Sequence, residues 1–248
     1  MNKLNYFICA LVLTISIWSC KKETTNTNNG TNPLGNNAPT IPTGAAGALY
    51  AVNSNATTQG VTQTTGTAFA WFNSYTTTAQ AGAVLCNGDT LSTQIPFSNV
   101  AYPWYESTAA LLNGNMLDFS ATPVAWSVSG SGSVAAFNFT DNAVFPVVNN
   151  YTVPATVSLS QPLTLTFTIA GPYDEVICTI QGSKKTVNIN YTTASSVTFT
   201  AAQIASAAVS GDNLVVQILP VKITAQTIAG KQYYFVKENG FAQYATVQ

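Results

Sequence analysis

Over residues 163–169 the chain reads Leu-Thr-Leu-Thr-Phe-Thr-Ile, with apolar and hydroxylated side chains in strict alternation. Successive side chains of an extended strand point to opposite faces, so this run places one face in a core and leaves a row of hydroxyls on the other. Strand-length runs recur at 155–160, 175–181, 185–191, 196–200, 213–219 and 221–228, and Pro, Gly and Asn fall between many of them. Near the end, 232–238 and 241–247 flank Asn239-Gly240, and this dipeptide predicts a two-residue hairpin turn between them. Residues 201–208 break the period and read as a short helix with Thr200 as its N-cap. Seven or more strands in about 95 residues is the pattern of an immunoglobulin-like sandwich.

The preceding part is less regular. Strands are expected at 48–53, 67–75, 81–86, 89–93, 115–119, 124–128 and 134–140, with a long excursion over 96–113. Pro146 and Pro154 bracket the expected boundary. The fold class that follows is all-β, with two β-sandwich domains at 44–148 and 149–248, the second immunoglobulin-like. Trp71 and Trp126 lie inside alternating runs and are expected in the core, and Tyr233 and Tyr234 point to opposite faces.

Absences bound the chemistry. The chain has no histidine, and all eight of its basic residues are lysines. A Ser-His-Asp or Cys-His arrangement therefore cannot be assembled, nor a histidine-based zinc site, nor the bidentate arginine clamp for phosphate. Only 7% of residues are charged and the formal net charge is −1, so nothing favours nucleic acid, whose binding rests on clustered Lys and Arg. An enzyme could still use two carboxylates, as glycoside hydrolases do, and the acids beyond residue 44 are Asp89, Glu106, Asp118, Asp141, Asp174, Glu175, Asp212 and Glu238. Asp174 and Glu175 are adjacent before a strand and would diverge, and Asp89, Asp141 and Asp212 stand beside Asn or Gly in turn-like contexts. The same turns offer oxygen ligands for calcium, but none repeats an EF-hand pattern, and local turn chemistry is the better account. No metal or cofactor is expected. Cys86 and Cys178 fall on strands of different expected domains and read as buried free thiols.

The strongest binding feature is Tyr102-Pro103-Trp104-Tyr105-Glu106 within the excursion. Tyr102, Trp104 and Tyr105 could stack on sugar rings or on a partner protein; the competing reading is that they plug one end of a sandwich.

The N-terminus carries an address. Lys3 precedes an apolar run over 6–18 that is too short to span a bilayer core needing roughly 20 apolar residues, and the run ends at Ile17-Trp18-Ser19-Cys20, followed by Lys21-Lys22-Glu23. This ending resembles the lipobox of bacterial lipoproteins, and the charged residues behind it resemble the Bacteroidetes type. The resemblance implies that 1–19 is a cleaved signal peptide and that Cys20 becomes the lipidated first residue of the mature chain. It also implies a place in the cell envelope, on the outer membrane, with the outer leaflet as one option. Residues 20–43, built mainly from Lys, Glu, Thr, Asn, Gly and Pro, read as a disordered tether with a reach of about 25 to 30 Å. Asp89-Thr90-Leu91 resembles a short O-glycosylation motif of the same bacteria, with Thr90 as acceptor. The runs Val124-Ala125-Trp126-Ser127-Val128-Ser129-Gly130 and Gly230-Lys231-Gln232-Tyr233-Tyr234-Phe235 resemble exported lipoproteins with tandem β-sandwich domains. The expectation is a non-catalytic binding, adhesion or spacer module, with the membrane as partner through the lipid and a glycan or surface protein as ligand. Its alternatives are a carbohydrate-binding accessory lipoprotein using the loop aromatics and a glycoside hydrolase.

Overall fold

The computed structural model describes residues 39–58, 61–74, 77–94, 104–107, 117–119, 123–191 and 193–248. The fold is all-β with several sheets, and the described residues hold one helix, α1 (Ala201–Ala207). The strands contributed by the first half are β1 (Gly47–Thr58), β2 (Val61–Ser74), β3 (Thr77–Thr78), β4 (Val84–Cys86), β5 (Asp89–Thr90), β6 (Ser92–Gln94), β7 (Trp104–Glu106), β8 (Val124–Val128) and β9 (Phe137–Asp141). The second half adds β10 (Val147–Asn149), β11 (Thr156–Val157), β12 (Leu163–Thr166), β13 (Thr168–Ala170), β14 (Glu175–Gln181), β15 (Thr186–Tyr191), β16 (Ser196–Phe199), β17 (Asn213–Ile228) and β18 (Lys231–Val247).

One ten-stranded sheet organises the molecule, in the order β15-β14-β17-β18-β1-β2-β7-β6, with β11 also on β18 and β3 on β2. Its spine is the β17–β18 hairpin, with strands of 16 and 17 residues. The turn of this hairpin is Ala229-Gly230, both left-handed at φ 49° and 77°, closing on the Ile228–Lys231 pair. The expected turn at Asn239-Gly240 is therefore corrected, since both residues lie inside β18. Partners decide the matter: β1 runs parallel to β18 and pairs Asn53 with Asn239 and Ser54 with Gly240, so the strand gains a second ladder by continuing straight. On the other side, pairing to β17 lapses between Ile218–Phe241 and Val221–Glu238 and resumes in the same register. Pro220 stands in that gap and has no N–H to offer.

Alternation along β18 sorts the cores. Odd-numbered Tyr233 and Phe235 belong to one buried cluster and Phe241, Ala245 and Val247 to a second, so both cores lie on the same side of the spine. The first is closed by the four-stranded sheet β5-β4-β8-β9, which contributes Val84, Cys86, Val124, Trp126 and Val128. The second is closed by the pairs β10–β13 and β12–β16 and by α1. Even-numbered Val236 joins Ala48, Tyr50, Val52, Trp71, Ile177 and Val221 in a third cluster on the opposite face, against which Ile41, Ala45 and Tyr234 pack. Sequence position 148/149 does not divide the sheet, because β1 and β2 pair onto a spine formed by the last strands of the chain.

Local chemistry accounts for the smaller elements. Thr200 caps α1 through a capping box with Gln203, as its place before the helix implies. The 163–169 run divides at Phe167, with β12 pairing to β16 and β13 crossing to β10. Asn87-Gly88, both left-handed, forms the β4–β5 turn, and the Asn87 side chain accepts the Ala125 N–H at 2.8 Å. Gly66 bridges to Leu117, whose carbonyl oxygen would overlap any Cβ placed there.

Candidate functional site at the centre of the long sheet

Lys237 and Glu238 are consecutive in β18, so the pleat sends them to opposite faces of the sheet, where they are 1% and 4% exposed. On the core side, the Lys237 ammonium donates to the carbonyl of Asp141 at 3.0 Å and to that of Ala143. It stands 3.7 Å from the Asp141 carboxylate and 5.2 Å from the centroid of the Phe145 ring. Asp141, itself buried at the end of β9, accepts the Ala143 N–H at 3.0 Å and the Thr224 hydroxyl at 3.3 Å through Oδ1. Burial pulls the Lys237 ammonium below the usual lysine range, and the Asp141 charge pulls it back. The cluster clamps β9 of the small sheet onto the spine.

On the other face Glu175 of β14 and Glu238 of β18 both stand in register with Val221 of β17, one strand to either side of it. Glu175 accepts the Asn190 side-chain amide at 2.7 Å and the backbone N–H of Thr40 at 3.0 Å. Glu238 Oε1 is buried without a hydrogen-bond partner. Burial, and secondarily the nearby Glu175, push the Glu238 carboxyl up to about 8.

The remaining acids among the described residues are dispersed. Asp174 forms an ion pair with Lys222 at 2.9 Å near the surface. Asp212 accepts Ser183 Oγ at 2.5 Å and the Val209 N–H at 2.8 Å, and these bonds hold its carboxyl below the usual range. Asp89 is exposed on β5 and Asp118 is exposed, while Glu106 is half-buried on β7, where burial raises its carboxyl. Among the described residues Glu175 and Glu238 are the acids placed side by side across one strand, and neither lines either of two surface grooves. One groove, about 450 Å³, is bounded by residues 44–46, Asn73, Ser133, Val134 and residues 230–233, with Lys231 Nζ donating to the Ser133 carbonyl at 2.8 Å. Another, about 250 Å³, lies among Gln181, Ser183, Asp212 and Val215. Among the described residues no group of three His, Cys, Asp or Glu is placed to hold a metal, and no helix is long and apolar enough to cross a membrane.

The sequence candidates fare unequally. Tyr105 is corrected as a ligand-facing residue: it is 2% exposed in the first core, packs edge-on to Phe72 at 5.7 Å and accepts the Ala81 N–H at 2.8 Å through its hydroxyl. No face of its ring is open for stacking. Trp104 opens β7 opposite Gln94, while its side chain, like Tyr102, lies outside the described residues. Thr90 is exposed on β5. Cys20 and the 1–38 segment lie outside the described residues. Cys86 and Cys178 are free and buried, and burial pushes both thiols up, Cys178 to about 12. No local pattern isolates the central charges as a site, although Lys237-Glu238 sets two charges directly after the apolar run Tyr233-Tyr234-Phe235-Val236. No protein-family model matches this chain, and no curated protein matches it in sequence.

Proposed function

We propose that this protein is a lipid-anchored, non-catalytic component of the cell envelope, attached through Cys20 and presenting a rigid β-body as a spacer or as a binding module for a glycan or surface protein. The observation that carries the reading is the β17–β18 spine, which runs through both cores without a linker between them. At about 3.3 Å per residue the 17 residues of β18 reach roughly 55 Å. A body of that kind fixes the separation of its own two ends. Three of the carboxylates are engaged within the fold: Asp141 with Lys237, Glu175 with Asn190 and Thr40, and Asp174 with Lys222.

Membrane fractionation of a bacterial host expressing the full chain tests the anchor. Wild type is expected in the membrane fraction and Cys20→Ala in the soluble one; equal partitioning of the two would remove the lipid from the account. A glycan array tests the ligand, with Trp104→Ala expected to abolish any binding seen. An intact-mass difference of one or more hexose units between wild type and Thr90→Ala would mark Thr90 as a glycosylation site.

A further inference from the structure

The Glu175–Glu238 pair has an asymmetry that points to a proton. Two N–H donors converge on Glu175, the arrangement that suits a carboxylate, whereas Glu238 leaves Oε1 buried and unpartnered. The groups facing Glu238 leave it no cation. β17 offers Val221 and β1 offers Val52, both in register with it, with Tyr50 two residues away on the same face of β1; β14 offers Glu175. Of the nearest lysines, Lys237 projects from the other face and Lys222 is paired with Asp174. A second buried charge beside Glu175 is therefore opposed by both desolvation and repulsion.

On the same face of the sheet lies the segment 39–46. Its Thr40 N–H is bonded to Glu175, its Ala46 N–H to the Gln232 carbonyl at 2.7 Å, and Ile41 and Ala45 pack on the cluster holding Val52, Val221 and Val236, the neighbours of Glu238. We infer that residues 39–46 form a proton-held clasp: the segment closes over Glu175 and Glu238 while Glu238 carries its proton, and opens when that proton leaves to solvent. The step is a simple acid dissociation, the carboxylic acid becoming a carboxylate plus a hydrated proton. The direction follows from linkage. The closed form keeps the proton up to about pH 8, whereas an opened, hydrated Glu238 releases it near the ordinary glutamate value. Opening thus becomes easier as pH rises between those values, by about tenfold per pH unit, and levels off above them.

Amide hydrogen exchange on the full-length protein, corrected for the intrinsic pH dependence, reads the opening constant at Thr40. The expected result is a rise of about tenfold per pH unit from about pH 5 to 8 in wild type, a flat profile in Glu238→Gln, and a plateau reached at lower pH in Glu175→Gln. A flat wild-type profile, or a Glu238→Gln profile as steep as wild type, would overturn the clasp. So would a profile that calcium chloride flattens and EDTA restores, because the occupant would then be a cation. If Glu238→Gln failed to fold, the carbon-13 titration of the wild-type Glu238 carboxyl would decide alone, an ordinary glutamate midpoint overturning the inference.

Discussion

At the scale of single residues, two charged neighbours reach neutrality by different routes. Lys237 is matched by the Asp141 carboxylate and two backbone carbonyls, so truncating it leaves a buried acid and two acceptors without their donor. Lys237→Ala is expected to lower unfolding free energy by about 3–5 kcal/mol in urea titrations, the range for breaking a buried pair. Glu238 is matched by its own proton, and the sign of its effect on stability is the reverse of the usual carboxylate case. Its folded value lies above its unfolded one, so the folded state binds more protons in that interval. Stability then falls as pH rises from the ordinary glutamate value to about 8, by about 1.4 kcal/mol per unit, and is level above. Glu238→Gln is expected to match wild type near pH 4 and exceed it in melting temperature at pH 8. Composition made the lack of histidine and arginine chemistry legible, and alternation placed Trp71 and Trp126 in cores, where they are 6% and 3% exposed. It did not reveal that Tyr105 belongs there too, because the burial of an aromatic in an irregular stretch depends on which strand that stretch meets.

Among the elements, the spine hairpin shows how pairing partners override a turn signal. Asn-Gly favours a type I′ turn, yet Asn239-Gly240 stays extended between β1 and β17 while Ala229-Gly230 makes the turn. Ala229 then holds a left-handed conformation that costs an L-residue with a Cβ roughly 1–2 kcal/mol. Ala229→Asn, which writes the favoured dipeptide at the actual turn, is expected to raise stability by about 0.5–1 kcal/mol in chemical denaturation. Gly66→Ala is expected to disrupt the first core, seen as lost near-UV circular dichroism, because the atom opposing the new Cβ is the backbone oxygen of Leu117, which cannot rotate away. Local signals did read correctly where competition was absent: Asn87-Gly88 is a turn, Thr200 caps α1, and β8 occupies 124–128.

For the whole molecule, the shared spine couples the two cores. Differential scanning calorimetry is expected to show a single transition whose calorimetric and van't Hoff enthalpies agree, and two separated transitions would show the cores to be independent. For the same reason residues 149–248 expressed alone are expected to lack dispersed amide resonances, since β18 would present an unpaired edge along residues 233–243 that β1 normally covers. The strand class, the short helix, the lack of histidine and arginine, and the inward rows of the alternating strands were legible in the amino-acid order, because they follow from side-chain type and a period of two. That the last strands thread both cores, that β1 returns parallel to β18, and that Glu175 and Glu238 flank Val221 emerged only with the folded chain. Each of these is a pairing between segments far apart in the chain, and register across such distances is set by which partner buries most, a quantity no local pattern contains.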